Sequence, residues 1–173
     1  AGGVMAGLAA RGRGFPVRDV RVPIVPQAIV FDLLNGGDKS ALHNSNARPY
    51  YRLGLTALDN AHQDFKLGSH GAGYGATLAD LKGGLGSASA LLPDGTRVGA
   101  LVVVNAVGQA TIGNSPYFWA APYECHQEFG GLGLPATLPV DALVPKFKGG
   151  TADRIKAGEN TTIAVIATDA PLS

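Results

Sequence analysis

Cys125 is the only cysteine among the 173 residues, which excludes an internal disulfide framework and a cysteine-rich metal site. Charge is scarce as well. Asp, Glu, Lys and Arg make up 16% of the chain, where about 25% is usual, and 14 basic against 13 acidic residues leave a net charge of +1. A protein held on nucleic acid by phosphate neutralisation would carry a basic excess, so no nucleic-acid partner is expected. Long apolar runs are missing: residues 98–107 and 163–167 are the longest, well short of the about 18 that span a bilayer, and no membrane partner is expected. There is no initiator Met, basic leader or signal-cleavage pattern. The chain opens on Ala1-Gly2-Gly3, stops on Ser173 and reads as a fragment of a longer sequence. The compartment stays open, with the cytoplasm preferred to the periplasm.

What is present is apolar and glycine-rich. Hydrophobic residues reach 46%, enough to bury a core and offset the entropy of ordering, and 25 glycines with 11 prolines promise many turns. Val4, Met5, Leu8 and Ala9 predict a short buried helix ended by Gly12 and Gly14. Pro23 and Pro26 bar a central strand, after which 28–33 reads as a short buried one. Asn44-Ser45-Asn46 offer N-caps for a helix with Pro49 in its first turn, running to about His62. Two glycine-rich loops follow at 68–75 and 82–86, then a strand over 87–92, an Asp94-Gly95 hairpin turn and a strand over 98–107. Residues 108–139 lack a period and read as an insertion or lid loop. Helix is expected at 142–147 and 151–157, a strand at 161–168, and a helix starting at 169–171. Strands with consecutive apolar positions are usually buried on both faces, so a layered α/β sandwich fits best.

Most motif-like features have a plain structural reading. Gly71-x-Gly73-x-Gly75 is neither a dinucleotide fingerprint nor a Walker A loop, and reads as a loop packed against backbone. His43, His62, His70 and His126 are scattered, so no metal or other cofactor is expected. Ser87 and Ser89 read as strand serines. Gly158-Glu159-Asn160-Thr161-Thr162 formally contains a glycosylation sequon, placed just before a buried strand. It also carries the chemistry of a self-cleaving bond. A Thr hydroxyl attacks the preceding carbonyl, the acyl group shifts from N to O, and water hydrolyses the ester. The α-amine so released, with an ordinary pKa of about 8, can serve as general base for its own hydroxyl.

Four blocks in order decide between these readings: Gly71-Ala-Gly-Tyr-Gly-Ala-Thr77, Lys82-Gly-Gly-Leu-Gly-Ser-Ala-Ser89, Val98-Gly-Ala-Leu-Val-Val-Val-Asn-Ala-Val-Gly108, and Asn160-Thr-Thr-Ile-Ala-Val-Ile-Ala-Thr-Asp-Ala-Pro-Leu172. With Arg13-Gly-Phe-Pro16 and Val22-Pro-Ile-Val-Pro26 ahead of Phe31-Asp32, the chain resembles the S58 peptidase family. That family includes the L-aminopeptidase/D-esterase, the β-peptidyl aminopeptidases and the nylon-oligomer hydrolases. The resemblance implies an αββα sandwich, incomplete in this chain, and a precursor that cuts itself in two. Residues 1–173 would form one incomplete domain, with 1–160 in the large chain and 161–173 opening the small one. By position, the scissile bond is Asn160–Thr161, Thr161 is the nucleophile and Asn105 contacts the oxyanion. A family Lys falls near Asp80 or Lys82, and Lys82 is taken for its Gly-Gly flank. In some members a Tyr stands where this chain has Phe31, and the family's downstream catalytic partners fall beyond Ser173. The implied substrate is a small peptide or amino-acid amide or ester, and the implied assembly a homo-oligomer of processed heterodimers. The alternatives are an acyltransferase of the ornithine acetyltransferase type and a non-catalytic module that keeps the fold.

Overall fold

Three antiparallel strands, β3 (Gly84–Leu91), β4 (Arg97–Asn105) and β5 (Thr161–Thr168), form the main sheet in the order β3-β4-β5. They belong to a computed structural model that describes residues 1–33, 35–43, 48–148, 150 and 160–171. Contacts divide the chain into two compact units, Ala1–Ile29 with Leu33–Lys66, and Val30–Asp32 with Leu67–Ser173. The architecture is mixed α/β, with two sheets and few helices.

In the first unit, α1 (Gly2–Ala10) packs against α2 (Pro49–Asp59). Only half of the expected apolar stripe is covered: Val4 and Leu8 are half-buried, Met5 and Ala9 are exposed, and Gly3 is the buried residue of α1. A Cβ on Gly3 would lie 2.9 Å from the Leu55 backbone nitrogen and closer still to the Tyr51 carbonyl, so the helices approach backbone to backbone. Pro49 opens α2 as expected, behind Arg48 at φ 42°, whereas the proposed caps at 44–46 lie outside the described residues. The helix ends at Asp59, short of His62, where the Asn60 side chain donates to the Thr56 carbonyl at 2.8 Å. A small hairpin, β1 (Phe15–Val17) with β2 (Val20–Val22), was not expected. Its turn is Arg18-Asp19, with Arg18 at φ 51°, and carries none of the usual Asn-Gly chemistry.

Residues 28–33 are irregular chain instead of the expected strand. Apolar, β-branched residues favour extended backbone, but a ladder is what makes it a strand. The 142–147 segment is turns and extended chain, not helix: Ala142 and Val144 each donate to a carbonyl three residues back, and Pro145 has no N–H to continue the pattern. The helix expected at 151–157 lies outside the described residues. The β3–β4 turn follows its sequence signal, with Gly95 at φ 86° and the Asp94 carboxylate accepting the Thr96 N–H at 2.9 Å. Through 108–139 a single antiparallel bridge, Thr111 with Phe118, is described, and carboxylates hold the turns after it. Glu124 accepts from Phe129 and Gly131, Glu128 accepts from Cys125 and His126, and Phe118 stacks on Phe129 at 5.1 Å.

Burial across the main sheet is uneven. Val103 and Asn105 on β4 are buried, while most of β3 and β5 is exposed, in contrast to strands covered on both faces. Val103 and Asn105 put buried positions at the end of the sheet where β4 finishes and β5 begins, Ala76 is buried beside the Gly83 that meets the Val104 carbonyl, and Ile112 and Ala142 are buried as well.

Candidate active site

Register builds the site. β4 and β5 pair so that Asn105, the last residue of β4, lies directly across from Thr161, the first of β5. Directly opposed residues in an antiparallel pair project to the same face, so the two side chains share it, with Val103 and Ile163 next to them. Asn160 immediately precedes Thr161 and is half-buried.

The glycine-rich segments bring a third element to this corner. Gly83 donates to the Ala76 carbonyl at 2.8 Å and Leu78 to Leu81 at 2.8 Å, closing a tight loop between Thr77 and Lys82. A Cβ on Gly83 would lie 2.8 Å from the Ala76 Cβ and closer still to the Val104 carbonyl oxygen, so only glycine lets the loop settle against β4. Gly73 lies equally close to backbone, with 2.6 Å left to the Leu85 nitrogen. Packed this way, the loop aims the Thr77 N–H at Asn105 Oδ1, 3.0 Å away. Lys148 reaches the same oxygen from the other side. Its backbone N–H donates to the Val107 carbonyl at 2.8 Å, and its Nζ sits 2.8 Å from Asn105 Oδ1 and 3.3 Å from the Thr77 carbonyl. Burial holds the Lys148 ammonium below the ordinary lysine value.

Asn105 is thus fully buried with its oxygen doubly satisfied, while its Nδ2 has no partner among the described residues. Among the described residues Thr77 Oγ1 and Asn160 Oδ1 are buried without partners too. Buried polar atoms are nearly always paired, so these orphans, on Asn105, on the Thr77 bonded to it and on the residue before Thr161, mark a place prepared for other groups. A cavity of about 220 Å³, lined by Gly108, Gln109, Trp119 and residues 142–147, lies next along the chain from both Val107 and Lys148.

The structure brings Asn105, Asn160 and Thr161 together. Lys82 lies on the loop, backbone partner of Thr77, with its side chain exposed; the lysine on Asn105 is Lys148. Sequence reasoning missed Lys148 altogether and saw Thr77 only inside a family block. Among the described residues no group of three or more His, Cys, Asp and Glu could hold a metal ion, and no helix is long and apolar enough to cross a membrane.

Comparison with known proteins gives first a class, that of peptidases, through a family model that matches residues 3–173. The family is peptidase family S58, and the chain belongs to it. Proteins described as uncharacterized aminopeptidases from Mycobacterium tuberculosis and Mycobacterium bovis are each 39% identical over 173 residues, which is 100% of this chain and 47% of theirs. A counterpart from Mycobacterium leprae is 37% identical over 184 residues, covering 100% of this chain and 46% of its own. The chain spans about half the length of the curated relatives it matches.

Proposed function

We propose that the protein is a self-processing hydrolase in which Thr161 first cleaves its own chain and then serves as an N-terminal nucleophile on small amide substrates. The observation that carries the reading is the placement of Asn105 across from Thr161 with a buried, unpartnered amino group. In maturation, Thr161 Oγ1 attacks the Asn160 carbonyl carbon. The C–N bond breaks, the nitrogen takes a proton, and an ester joins Asn160 to the Thr161 oxygen. Water hydrolyses that ester, leaving a carboxylate on Asn160 and a free amine and hydroxyl on Thr161.

The mature amine then takes the proton of its own hydroxyl as the hydroxyl attacks a substrate carbonyl. Negative charge grows on the substrate oxygen and in this reading is received by the Asn105 Nδ2 hydrogens, which is supported by their lack of a partner among the described residues. The acyl-enzyme ester is released by water. The substrates in this reading are small peptides, amides or esters, in keeping with the aminopeptidase names of the relatives. Lys82 is a further basic group assigned to the site by its place in the family pattern. An αββα sandwich is the architecture this reading requires, with layers of the whole protein covering the exposed faces of β3 and β5. Processed heterodimers associating with one another are part of the same reading.

The test is the intact mass and N-terminal sequence of the full-length protein. Two chains are expected, the smaller reading Thr-Thr-Ile-Ala-Val. An uncut chain after prolonged incubation, or a different new N-terminus, overturns the reading.

A further inference from the structure

Asn105 ends in two unlike groups, and the structure gives them unlike surroundings. The Thr77 N–H and the Lys148 ammonium both meet one terminal atom of its amide, at 3.0 and 2.8 Å. An amide N–H and an ammonium can only donate, so that atom must be the oxygen; chemistry fixes the orientation. Turning the amide over would press its NH₂ against two donors, one of them charged. The NH₂ is therefore held on the other side of the amide, where it is buried and has no partner among the described residues.

The Thr77 N–H alone would satisfy this oxygen, so the lysine is surplus to that need. It is there at a desolvation cost, since burial disfavours its charge. It is also anchored: its own N–H is tied to Val107, two residues past Asn105, and its Nζ bridges Asn105 to the Thr77 carbonyl. The lysine thereby links the end of β4 to the loop before β3. A cation on the amide oxygen draws electron density from the nitrogen and makes its N–H bonds better donors.

We infer that Lys148 is the positioning residue of the oxyanion site, locking the Asn105 amide with its NH₂ toward the reacting carbonyl and strengthening it as a donor. This rests on the reading of Asn105 as the oxyanion donor, and the experiment separates the two. The halves of the full-length protein are co-expressed as two chains meeting at Thr161, so that maturation does not enter. Lys148→Met, Lys148→Arg, Lys146→Met, Asn105→Ala and the Lys148→Met/Asn105→Ala double variant are compared. The substrate is whichever aminoacyl p-nitroanilide of an L-, D- and β-panel the unaltered protein turns over.

Lys148→Met is expected to lower kcat by about 10- to 100-fold with KM changed less than about threefold, because misplacing one donor costs rate more than ground-state binding. Lys148→Arg, which keeps charge and donors, should recover most of that loss. In the Asn105→Ala background Lys148→Met should cost less than about threefold more, since a residue acting through Asn105 has nothing left to act on. Full additivity in the double variant, or an unchanged kcat in Lys148→Met beside a collapsed kcat in Asn105→Ala, overturns the inference and leaves the oxyanion reading standing. So does an equal fall in Lys146→Met, which removes a lysine of the same segment that bonds Gly113 and Asn114 instead. An unchanged kcat in Asn105→Ala overturns the parent reading and this one with it.

Discussion

Replacing Asn105 by Asp and by Ala separates what its two terminal atoms do. Asp keeps an oxygen where Thr77 N–H and Lys148 Nζ converge, at 3.0 and 2.8 Å, and replaces the unpartnered Nδ2 with an acceptor. Ala removes both. If Nδ2 is the oxyanion donor, both variants should lose about 10²–10³ in kcat, or about 3–4 kcal/mol of transition-state stabilisation. Asp should fall at least as far as Ala, because it offers negative charge where negative charge develops. Stability should divide them. Ala strands the Thr77 N–H in a buried site, at a cost of about 1–3 kcal/mol, while half-buried Lys148 keeps the Thr77 carbonyl at 3.3 Å. Asp exchanges that loss for a buried carboxylate paired with an ammonium, whose attraction offsets much of the desolvation. In a domain of 150–250 residues each kcal/mol moves Tm by about 2–4 °C, so Ala should melt roughly 2–12 °C low and Asp much less so. The assay is a thermal melt and a p-nitroanilide kcat on matched preparations of the full-length, two-chain protein. An Asp variant within about threefold of normal kcat would falsify the donor role, and one that melts as low as Ala would refute the role given to Oδ1.

Thr161→Ala should abolish both maturation and hydrolysis, whereas Thr161→Ser should retain part of each; normal maturation of the Ala variant, read on a denaturing gel, moves the nucleophile elsewhere. Gly83→Ala should destabilise by about 1–3 kcal/mol in urea melts and slow turnover, because the methyl would force the 77–82 loop away from the Val104 carbonyl and shift the Thr77 N–H off Asn105. The Asp94 carboxylate is held below the ordinary range, first by the Thr96 backbone N–H and then by its side chain. A depressed folded pKa gives stability that is present above the ordinary carboxylate value and lost as pH falls through the folded one, so Asp94→Asn should flatten the acid side of a Tm-against-pH curve; an unaltered curve would show that the turn carries none of it.

Local signals in this chain read well and distant ones did not. Asp94-Gly95 and the flanking valines place β3 and β4 because a hairpin carries its register in its own turn. The close α1–α2 approach escaped because it runs through Gly3, Gly7 and Gly54, and an apolar-stripe search passes over glycine. The 28–33 run has the composition of a strand without forming one, and 142–147 that of a helix broken at Pro145. Within the site, Thr161 and Asn105 were legible as members of family blocks, but their juxtaposition was not. Fifty-five positions separate them with no turn to set the pairing, and a one-residue slip would put the threonine on the opposite face. Lys148 was invisible for a related reason. It stands in the Lys-Phe-Lys run of a segment without periodicity, and nothing local distinguishes it from Lys146, whose bonds go to Gly113 and Asn114.

Polar bookkeeping finds the site where periodicity fails. A folded chain loses free energy for every buried donor or acceptor left without a partner, and the surrounding structure normally shifts to pair it. At the end of β4 it has paired the Asn105 oxygen twice over while leaving the nitrogen on the same amide with no partner among the described residues. Loose packing would not produce that asymmetry, since a loosely held amide would turn to share its bonds. It follows from two donors fixed by backbone: Thr77 by the glycine contacts of its loop, Lys148 by its bond to Val107. Among the described residues Thr77 Oγ1, on the residue that bonds Asn105, and Asn160 Oδ1, on the residue before Thr161, are unpaired as well. A site that must meet a charge existing only in a transition state has to keep its donors oriented and unsatisfied in the ground state, and the cost of doing so falls on the surrounding fold.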